Sequence, residues 1–304
     1  MSNIKIMSFN IAAETLCINN NHQVIISIIK SINPDILGIQ EINCHNETTN
    51  KYTNIELYKT IAEKFNYNYK VNDETHTVIF SKYPIIDTSE NYKGVVIKNN
   101  NELIAIFNIH LTDEPYQPYQ IAKIPYGNYP FIESEQEAIK QASIARSADI
   151  NNILTDIKLI EDKYNPTCII VLGDFNEPSH RDWTSQTVSA GIHPLKVEFP
   201  SVRKFESNGF IDSFRYVNPD PVKNPGFTWP TPNRYSDNEE LSDRLDFILV
   251  KGSVEIANGE IIGELDFDIW PSDHRACLCT LSVKNYYYKK YLKYKNKYLE
   301  LKNQ

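Results

Sequence analysis

The sequence predicts an α/β fold in which strands and helices, laid out in two successive runs, form two similar halves packed as sheets with helices outside. Three observations carry that reading. Short runs of β-favouring apolar residues recur along the chain and alternate with segments whose apolar residues fall at helical spacing. Several of these runs end, or begin, in a polar or ionisable side chain, as buried strands do where they surface at a cleft. Nothing in the body of the chain reads as a linker, so residues 1–284 are expected to form one large domain without internal repeats.

Taken in order, the first strand is Ile4 to Asn10 (IKIMSFN). His22 to Ile32 places Val24, Ile25, Ile28, Ile29 and Ile32 on one helical stripe and stops at Asn33-Pro34, where proline cannot continue a helix. ILGIQE, Ile36 to Glu41, follows at once as a strand. Thr53 to Phe65 reads as an amphipathic helix through Ile55, Tyr58, Ile61, Ala62 and Phe65. Thr77 to Phe80 and Gly94 to Ile97 read as strands, with Ser81-Lys82-Tyr83-Pro84 as the turn between them. The strand Glu102 to His110 runs into an irregular segment, Thr112 to Phe131, which interleaves four prolines with Tyr116, Tyr119, Tyr126 and Tyr129. A loop of that length directly after a cleft residue either serves function or packs its aromatics on its own domain. Glu133 to Tyr164 is a long helix with Ile139, Ala142, Ala145, Leu154, Ile157 and Ile160 toward the core. The buried strand Cys168 to Leu172 then leads through Gly173 into DFNEPS, and a mostly irregular stretch follows. Asn208-Gly209 turns the chain into an extended Phe210 to Tyr216, Asn218 to Pro232 is proline-rich, and the strands Arg244 to Val250 and Ala276 to Val283 finish the sheets.

Composition narrows the class. Hydrophobic content of 41% with 23% charged residues is ordinary for a globular chain. No apolar run approaches membrane-spanning length, and MSNIKIMSF lacks signal-peptide architecture. Five cysteines without a CxxC pair are expected to be reduced, structural thiols in a cytosol-like compartment. The tail Asn285 to Gln304 carries six Lys and one Glu, leaving 25 basic and 38 acidic residues, a balance of −13, in the body before it. An acidic body gives no electrostatic footprint for long nucleic acid, although carboxylates gathered at a metal site contribute to the excess. In the tail Tyr287, Tyr291, Tyr294, Tyr298 and Leu301 recur every three or four residues, so 285–304 is expected to be a short basic helix. Such a helix caps the domain or meets a partner or an acidic surface, and Lys/Tyr-rich endings of this kind are similar to tails on proteins of large DNA viruses.

The polar residues at the strand ends carry the chemistry. Asn10, Glu41 and His110 end apolar runs, Asp174 and Asn176 follow another, Asp246 opens DFILV, and Asp273 with His274 precedes ACLCTLSV. Strands entering and leaving one sheet edge would gather all of them in one place. Alternation sets Asp174 and Asn176 on one side, where a carboxylate and a carboxamide can orient a water and hold an anionic transition state near a cation. Hard oxygen ligands suit Mg2+ or Mn2+, and no Cys/His cluster has zinc spacing.

These residues match a known pattern. SFN at Ser8 to Asn10, QE at Gln40-Glu41, NIHL at Asn108 to Leu111, GDFNEPS at Gly173 to Ser179, TW at Thr228-Trp229, RLDFIL at Arg244 to Leu249 and SDHRA at Ser272 to Ala276 occur in one order across Ile4 to Val283. In this ordered set the chain resembles the endonuclease/exonuclease/phosphatase superfamily of DNase-I-like, metal-dependent phosphoesterases. The resemblance implies a four-layer α/β sandwich of two packed, mostly antiparallel sheets flanked by helices, with the active site at one edge. It implies Glu41 as the principal metal ligand, with Asn10 and Asp273 as ligands or partners of ligands. Asp174 would orient or deprotonate the attacking water, and Asn176 would hold that water or a phosphate oxygen. His274, oriented by Asp246, would sit against the scissile phosphate, and His110 would donate to another oxygen. Trp229 and Arg244 are the candidate substrate contacts, and Trp183, Trp270 and the Tyr/Pro loop could share a pocket with Trp229 that stacks a base or covers a lipid headgroup.

The expected activity is hydrolysis of a phosphodiester, with nucleic acid or a nucleotide as first substrate class and a phospholipid, sphingomyelin or sugar-phosphate headgroup as second. A noncatalytic binding protein that keeps the fold is the competing class. Apurinic-site endonucleases of the family carry an Asp where this chain has Ala12 and a Tyr where it has His110, which lowers abasic DNA as a substrate. TWPTPN has no basic residue before Arg234, unlike the basic pocket of inositol polyphosphate phosphatases.

Overall fold

The structure, a computed structural model, describes residues 3–12, 22–46, 51–54, 56–91, 94–232 and 241–283. The basic tail and its expected helix lie outside them. In chain order the elements are β1 (Asn3–Asn10), α1 (His22–Ile32), β2 (Ile36–Gln40), the hairpin β3 (Asn43–Asn46) and β4 (Lys51–Asn54), α2 (Leu57–Phe65), β5 (Asn68–Asn72), β6 (Thr77–Ser81), β7 (Ile85–Thr88), β8 (Val95–Asn99) and β9 (Glu102–His110). Then come α3 (Gln117–Ala122), α4 (Glu135–Tyr164), β10 (Cys168–Asp174), α5 (Ser185–Ser189), α6 (Pro200–Ser207), β11 (Ile211–Asp212), α7 (Ser213–Val217), β12 (Asp246–Gly252), β13 (Val254–Ile262) and β14 (Ala276–Val283).

Two six-stranded sheets form, in the orders β13-β14-β1-β2-β6-β5 and β11-β12-β10-β9-β8-β7. Each has a parallel pair at its centre, β1 with β2 and β10 with β9, and antiparallel neighbours on both sides. A parallel pair sets two strand C-termini side by side, and the antiparallel neighbours β14 and β12 start at that same edge. The two successive runs read from the sequence map onto these sheets only in part, because the C-terminal strands β13 and β14 return to the sheet of β1, β2, β5 and β6.

Alternation along the central strands produces the layers. Ile4 and Ile6, Ile36, Ile104 and Ile106, Cys168, Ile170 and Leu172, Ile248 and Val250, and Cys277, Cys279 and Leu281 fill the space between the sheets. The intervening Met7, Phe9, Leu37 and Ile39 pack against α1 and α2. On the other sheet Phe107, Ile109, Val171, Phe247 and Leu249 pack against α4 and α6. The order is therefore helix, sheet, sheet, helix. Toward the cleft the inner-face parity passes from apolar to polar: Ser8 and Asn10 on β1, Gly38 and Gln40 on β2, Asn108 and His110 on β9, Asp174 on β10, Asp246 on β12.

Directly beneath the cleft the sheets are stitched together. Asn108 Nδ2 donates to Ile39 O and Val78 O at 2.9 Å each, and Asn108 Oδ1 accepts from Gln40 Nε2 at 2.6 Å. Gln40 Nε2 also reaches Ser8 Oγ at 3.2 Å. Close approach demands glycine here: a Cβ on Gly38 would lie 2.0 Å from Leu172 Cδ1, and one on Gly173, at φ +139°, would lie 1.9 Å from Ile109 O.

Several elements differ from the sequence expectation. Residues 51–54 pair with β3, so α2 starts at Leu57 rather than Thr53. Ser81 to Pro84 is not a hairpin turn, because β7 intervenes and the strands on either side belong to different sheets. Phe210 to Tyr216 is not a strand: Asp212 accepts from the backbone N–H groups of Phe214 and Arg215 and caps α7, ending β11 after two residues. The irregular segment after β9 contains α3. Cys168, Cys277 and Cys279 are free and buried, and among the described residues no helix is long and apolar enough to cross a membrane.

Candidate active site

The polar end of the inter-sheet layer brings the expected residues together. Asp174, fully buried, is paired across its sheet with His110 on one side and Asp246 on the other. Asn10, from the opposite sheet, donates its amide to Asp174 Oδ2 at 3.0 Å and to Glu41 Oε1 at 2.9 Å. Two imidazoles face the same Asp174 oxygen, His274 Nε2 at 3.7 Å and His110 Nε2 at 3.8 Å, and His110 Nε2 stands 3.7 Å from Glu41 Oε1. These distances exceed a hydrogen bond and suit groups that share a ligand. Glu41 at φ +55° and Asn176 at φ +47° both adopt left-handed backbone where their strands give way to loops, an outlier conformation that clusters at functional sites.

Each of these side chains is held by others. His274 Nδ1 lies 2.9 Å from Asp246 Oδ2, and the backbone of His274 donates to Ser272 Oγ, which donates to Asn10 O. Asp174 Oδ1 accepts from Asn176 N at 2.8 Å, and Asn176 Nδ2 donates to Leu111 O. Burial works against charge on His274, but the Asp246 and Asp174 carboxylates outweigh it and its pKa is pushed up to about 10. Burial and the neighbouring Asp246 raise Asp174 above the ordinary carboxylate range, against the pull of His274 and His110.

Above this floor lies a cleft of about 550 Å3, lined by Glu41, His110, Asn176, Asp273 and His274, by the aromatics Tyr116, Tyr126 and Trp229, and by Glu74, Thr75 and His76 of the β5–β6 turn. Among the described residues that line it there is no lysine or arginine. Trp229 Nε1 donates to Asp273 Oδ2 at 3.3 Å, and its ring stands 6.3 Å from that of His274. Atoms of Glu41, His110 and Asp174 all lie within 4.8 Å of one another, a donor set of carboxylates and one imidazole that fits a divalent cation. Asp174, Asp246 and His274 form a second such group, fully buried, in which Asp246 and His274 are already bonded to each other.

The family model of the Endonuclease/Exonuclease/phosphatase family matches residues 7–274. The chain belongs to this family. As an endonuclease/exonuclease/phosphatase protein it is a phosphoric-ester hydrolase of a divalent-metal-dependent class. It is similar to the Caenorhabditis elegans protein F14F9.5, 28% identical in an alignment 264 positions long that covers 83% of this chain and 79% of the relative. Its fold is similar to that of D. rerio TDP2 complexed with single-strand DNA product, with TM-score 0.56, 15% identity, and coverage of 93% of this chain and 100% of the other. It is also similar to the 3′ phosphatase NExo from Neisseria bound to product DNA hairpin, with TM-score 0.54, 14% identity, and coverage of 91% and 98%.

Some residues of this family member take places other than those expected. Arg244 does not reach the cleft: it is 1% exposed, and its guanidinium bonds to Asp182 and Asp212 and stacks over Phe247. Asn10 stands where expected: its amide bridges the Glu41 and Asp174 carboxylates and its oxygen accepts from Ala12 N, the place of a partner of ligands. Trp183 is buried and donates to Asp243, and Trp270 packs on Phe9 and donates to His274 O, which leaves Trp229 as the tryptophan in the cleft lining. The sequence reading missed Arg146, Glu177 and Asp243. Asp243 accepts from the Tyr116 hydroxyl and the Trp183 indole, both at 2.7 Å, and pairs its backbone with Trp229. The available signal was an ionisable residue standing within an apolar period, as Arg146 does between Ala142 and Ile150.

Proposed function

We propose that this protein is a Mg2+-dependent phosphodiesterase acting on a nucleotide or nucleic-acid phosphodiester. The observation that carries the reading is the convergence of Asn10, His110 and His274 on one buried oxygen, Asp174 Oδ2, beside Glu41. A carboxylate raised above its ordinary range by burial is a stronger base, and Asp174 accepts a proton from the attacking water. That water's oxygen joins phosphorus as the bond to the leaving oxygen breaks. His274, held as a cation by Asp246, and His110 meet the charge that grows on the nonbridging oxygens. Asn10 fixes Asp174 relative to Glu41, and Asn176 lines the same cleft while its amide secures Leu111. Glu41, with Asp273 at the same cleft and Mn2+ as the alternative ion, would hold Mg2+, which supplies Lewis-acid charge to the phosphate.

The nucleotide reading draws on the aromatic lining, since every base has a π-face to stack. It also draws on the neighbours of like fold whose structures hold DNA products. The described lining, made of carboxylates, imidazoles and aromatic rings, favours one phosphate engaged at the floor over a long backbone tracked across the surface. The test is hydrolysis, with Mg2+ and with EDTA, of single- and double-stranded DNA, RNA, bis-p-nitrophenyl phosphate, p-nitrophenyl phosphate, sphingomyelin and an inositol phosphate, with Asp174→Ala beside the wild type. Metal-dependent cleavage of nucleic acid or nucleotide diesters, lost by several orders of magnitude in the variant, is expected. Activity confined to sphingomyelin would move the aromatic lining into the role of headgroup pocket. Silence on every substrate would return the chain to a binding role.

A further inference from the structure

We infer that Arg146 and Glu177 form a positioning pair that fixes the Thr112–Gln117 wall of the cleft and thereby sets discrimination between substrates, without either residue touching the reacting phosphate. The inference rests on the reading of the cleft as a phosphodiesterase site.

Arg146 projects from α4 and is 0% exposed. Its guanidinium is spent on the loop that follows β9: Nε donates to Thr112 O at 3.0 Å, Nη2 to Asp113 O and Pro115 O at 3.2 Å each, and Nη1 to the Gln117 carboxamide oxygen at 2.9 Å. Nη1 also lies 3.4 Å from Glu177 Oε2. Five acceptors match the five N–H groups of a guanidinium, a rigid fork that an ammonium cannot reproduce. Glu177, likewise 0% exposed, uses its other oxygen to accept Ser201 N at 2.7 Å, at the first turn of α6. It directly follows Asn176, which itself holds Leu111 O, so the pair ties together from behind the two loops that leave β9 and β10.

The wall so fixed carries specificity surface. Tyr116 reaches the cleft from it, and Asp113 accepts from the hydroxyl of Tyr126, another lining residue. The ion pair by itself is weak evidence for a stabilising role, because a buried pair can often be replaced by apolar residues at no loss. What the fork supplies is geometry: the irregular loop turns its carbonyls inward, and each needs a donor at a fixed place. Asp174 and His274 are held by other bonds and His110 sits on β9 opposite Asp174, so loosening the wall changes what binds more than how fast the bound phosphate reacts.

The test compares full-length wild type, Arg146→Lys and Gln117→Met, in Mg2+, on methyl p-nitrophenyl phosphate and on the p-nitrophenyl ester of thymidine 5′-monophosphate. The two substrates share a leaving group and differ by a nucleoside. Wild type is expected to prefer the nucleoside ester in kcat/KM, and Arg146→Lys to lower that preference by about tenfold through KM, with kcat on the methyl ester within about threefold. Gln117→Met, which removes one acceptor of the fork, is expected to lower the preference by about threefold, and it carries the test if Arg146→Lys does not fold. Equal losses on both substrates, no loss on either, or a wild type without preference overturns the inference while leaving the phosphodiesterase reading intact. A wild type that hydrolyses neither ester overturns both.

Discussion

Replacing Asp246 by Asn keeps the size of the side chain and an oxygen for the His274 Nδ1–H but removes the charge. In the native site that carboxylate oxygen lies 2.9 Å from Nδ1, both residues are buried, and His274 is pushed up to about 10 from an ordinary 6.5. At about 1.4 kcal/mol for each tenfold, the gap is on the order of 5 kcal/mol of preference for the imidazolium, achieved against the cost of burial. Asp246 is the largest of the three carboxylate attractions, ahead of Asp174 and Asp273. Without it, burial is opposed only by Asp174 and Asp273, so the His274 pKa is expected to fall well below its native value. The sign follows: native His274 stays cationic until the pH rises toward 10, whereas in Asp246→Asn the cation is lost in going from pH 6 to pH 8. The assay is kcat/KM against pH in Mg2+, with the His274 ring followed by NMR. At pH 8 the variant is expected to lose about 10²–10³ in rate, the range for removing one donor to a developing oxyanion, and to recover part of it at pH 6. A variant within about threefold of wild type at pH 8, or one whose profile keeps the wild-type shape, would refute the assignment of His274 as a cation held by Asp246.

Two further outcomes concern the fold. Asn108→Leu leaves the buried carbonyls of Ile39 and Val78 without their side-chain donor and deprives Gln40 of an acceptor, so a loss of about 3–5 kcal/mol is expected in urea unfolding; a loss below about 1 kcal/mol would mean that the inter-sheet stitch holds little. Burial opposes ionisation of Asp212, yet Arg244 holds its pKa below the usual carboxylate value. A depressed group contributes stability above its unfolded pKa and loses it as the pH falls through the folded one, so the deficit of Asp212→Asn should be large at neutral pH and shrink below about pH 4. A deficit that does not change with pH would sever this link.

The floor of the site was legible because it obeys the period of two. Asn10, His110, Asp174 and Asp246 continue the inner-face stripes of their strands, and an apolar run ending in such a residue is visible in one dimension. Glu41 and Asn176 were equally visible, although their left-handed backbone was not. Arg244 was misplaced because its partners Asp182 and Asp212 stand 62 and 32 residues away, in segments without periodicity that assemble only in three dimensions. The strands β5, β7 and β13 escaped notice for a different reason: they lie at or beside sheet edges and are half exposed, so their alternation is diluted by polar residues. Arg146 was hidden in a mostly apolar buried face of α4, which also carries Asp156, where a charged residue reads as an interruption rather than as an anchor.

The Asn108 stitch has a consequence for how such a protein can acquire new substrates. Because one amide locks β9 to β2 and β6 two positions below His110, the spacing of the groups contributed by the two sheets is tied to core packing, and widening the floor for a bulkier molecule would break these buried bonds. Variation is left to the rim, where the β5–β6 turn can change at small cost, while the loop after β9, held along its path by Arg146, is free to vary only in the side chains it shows to the cleft. On the proposed function, chemistry and selectivity are thereby separable: side chains at the rim can change while the floor stays as it is.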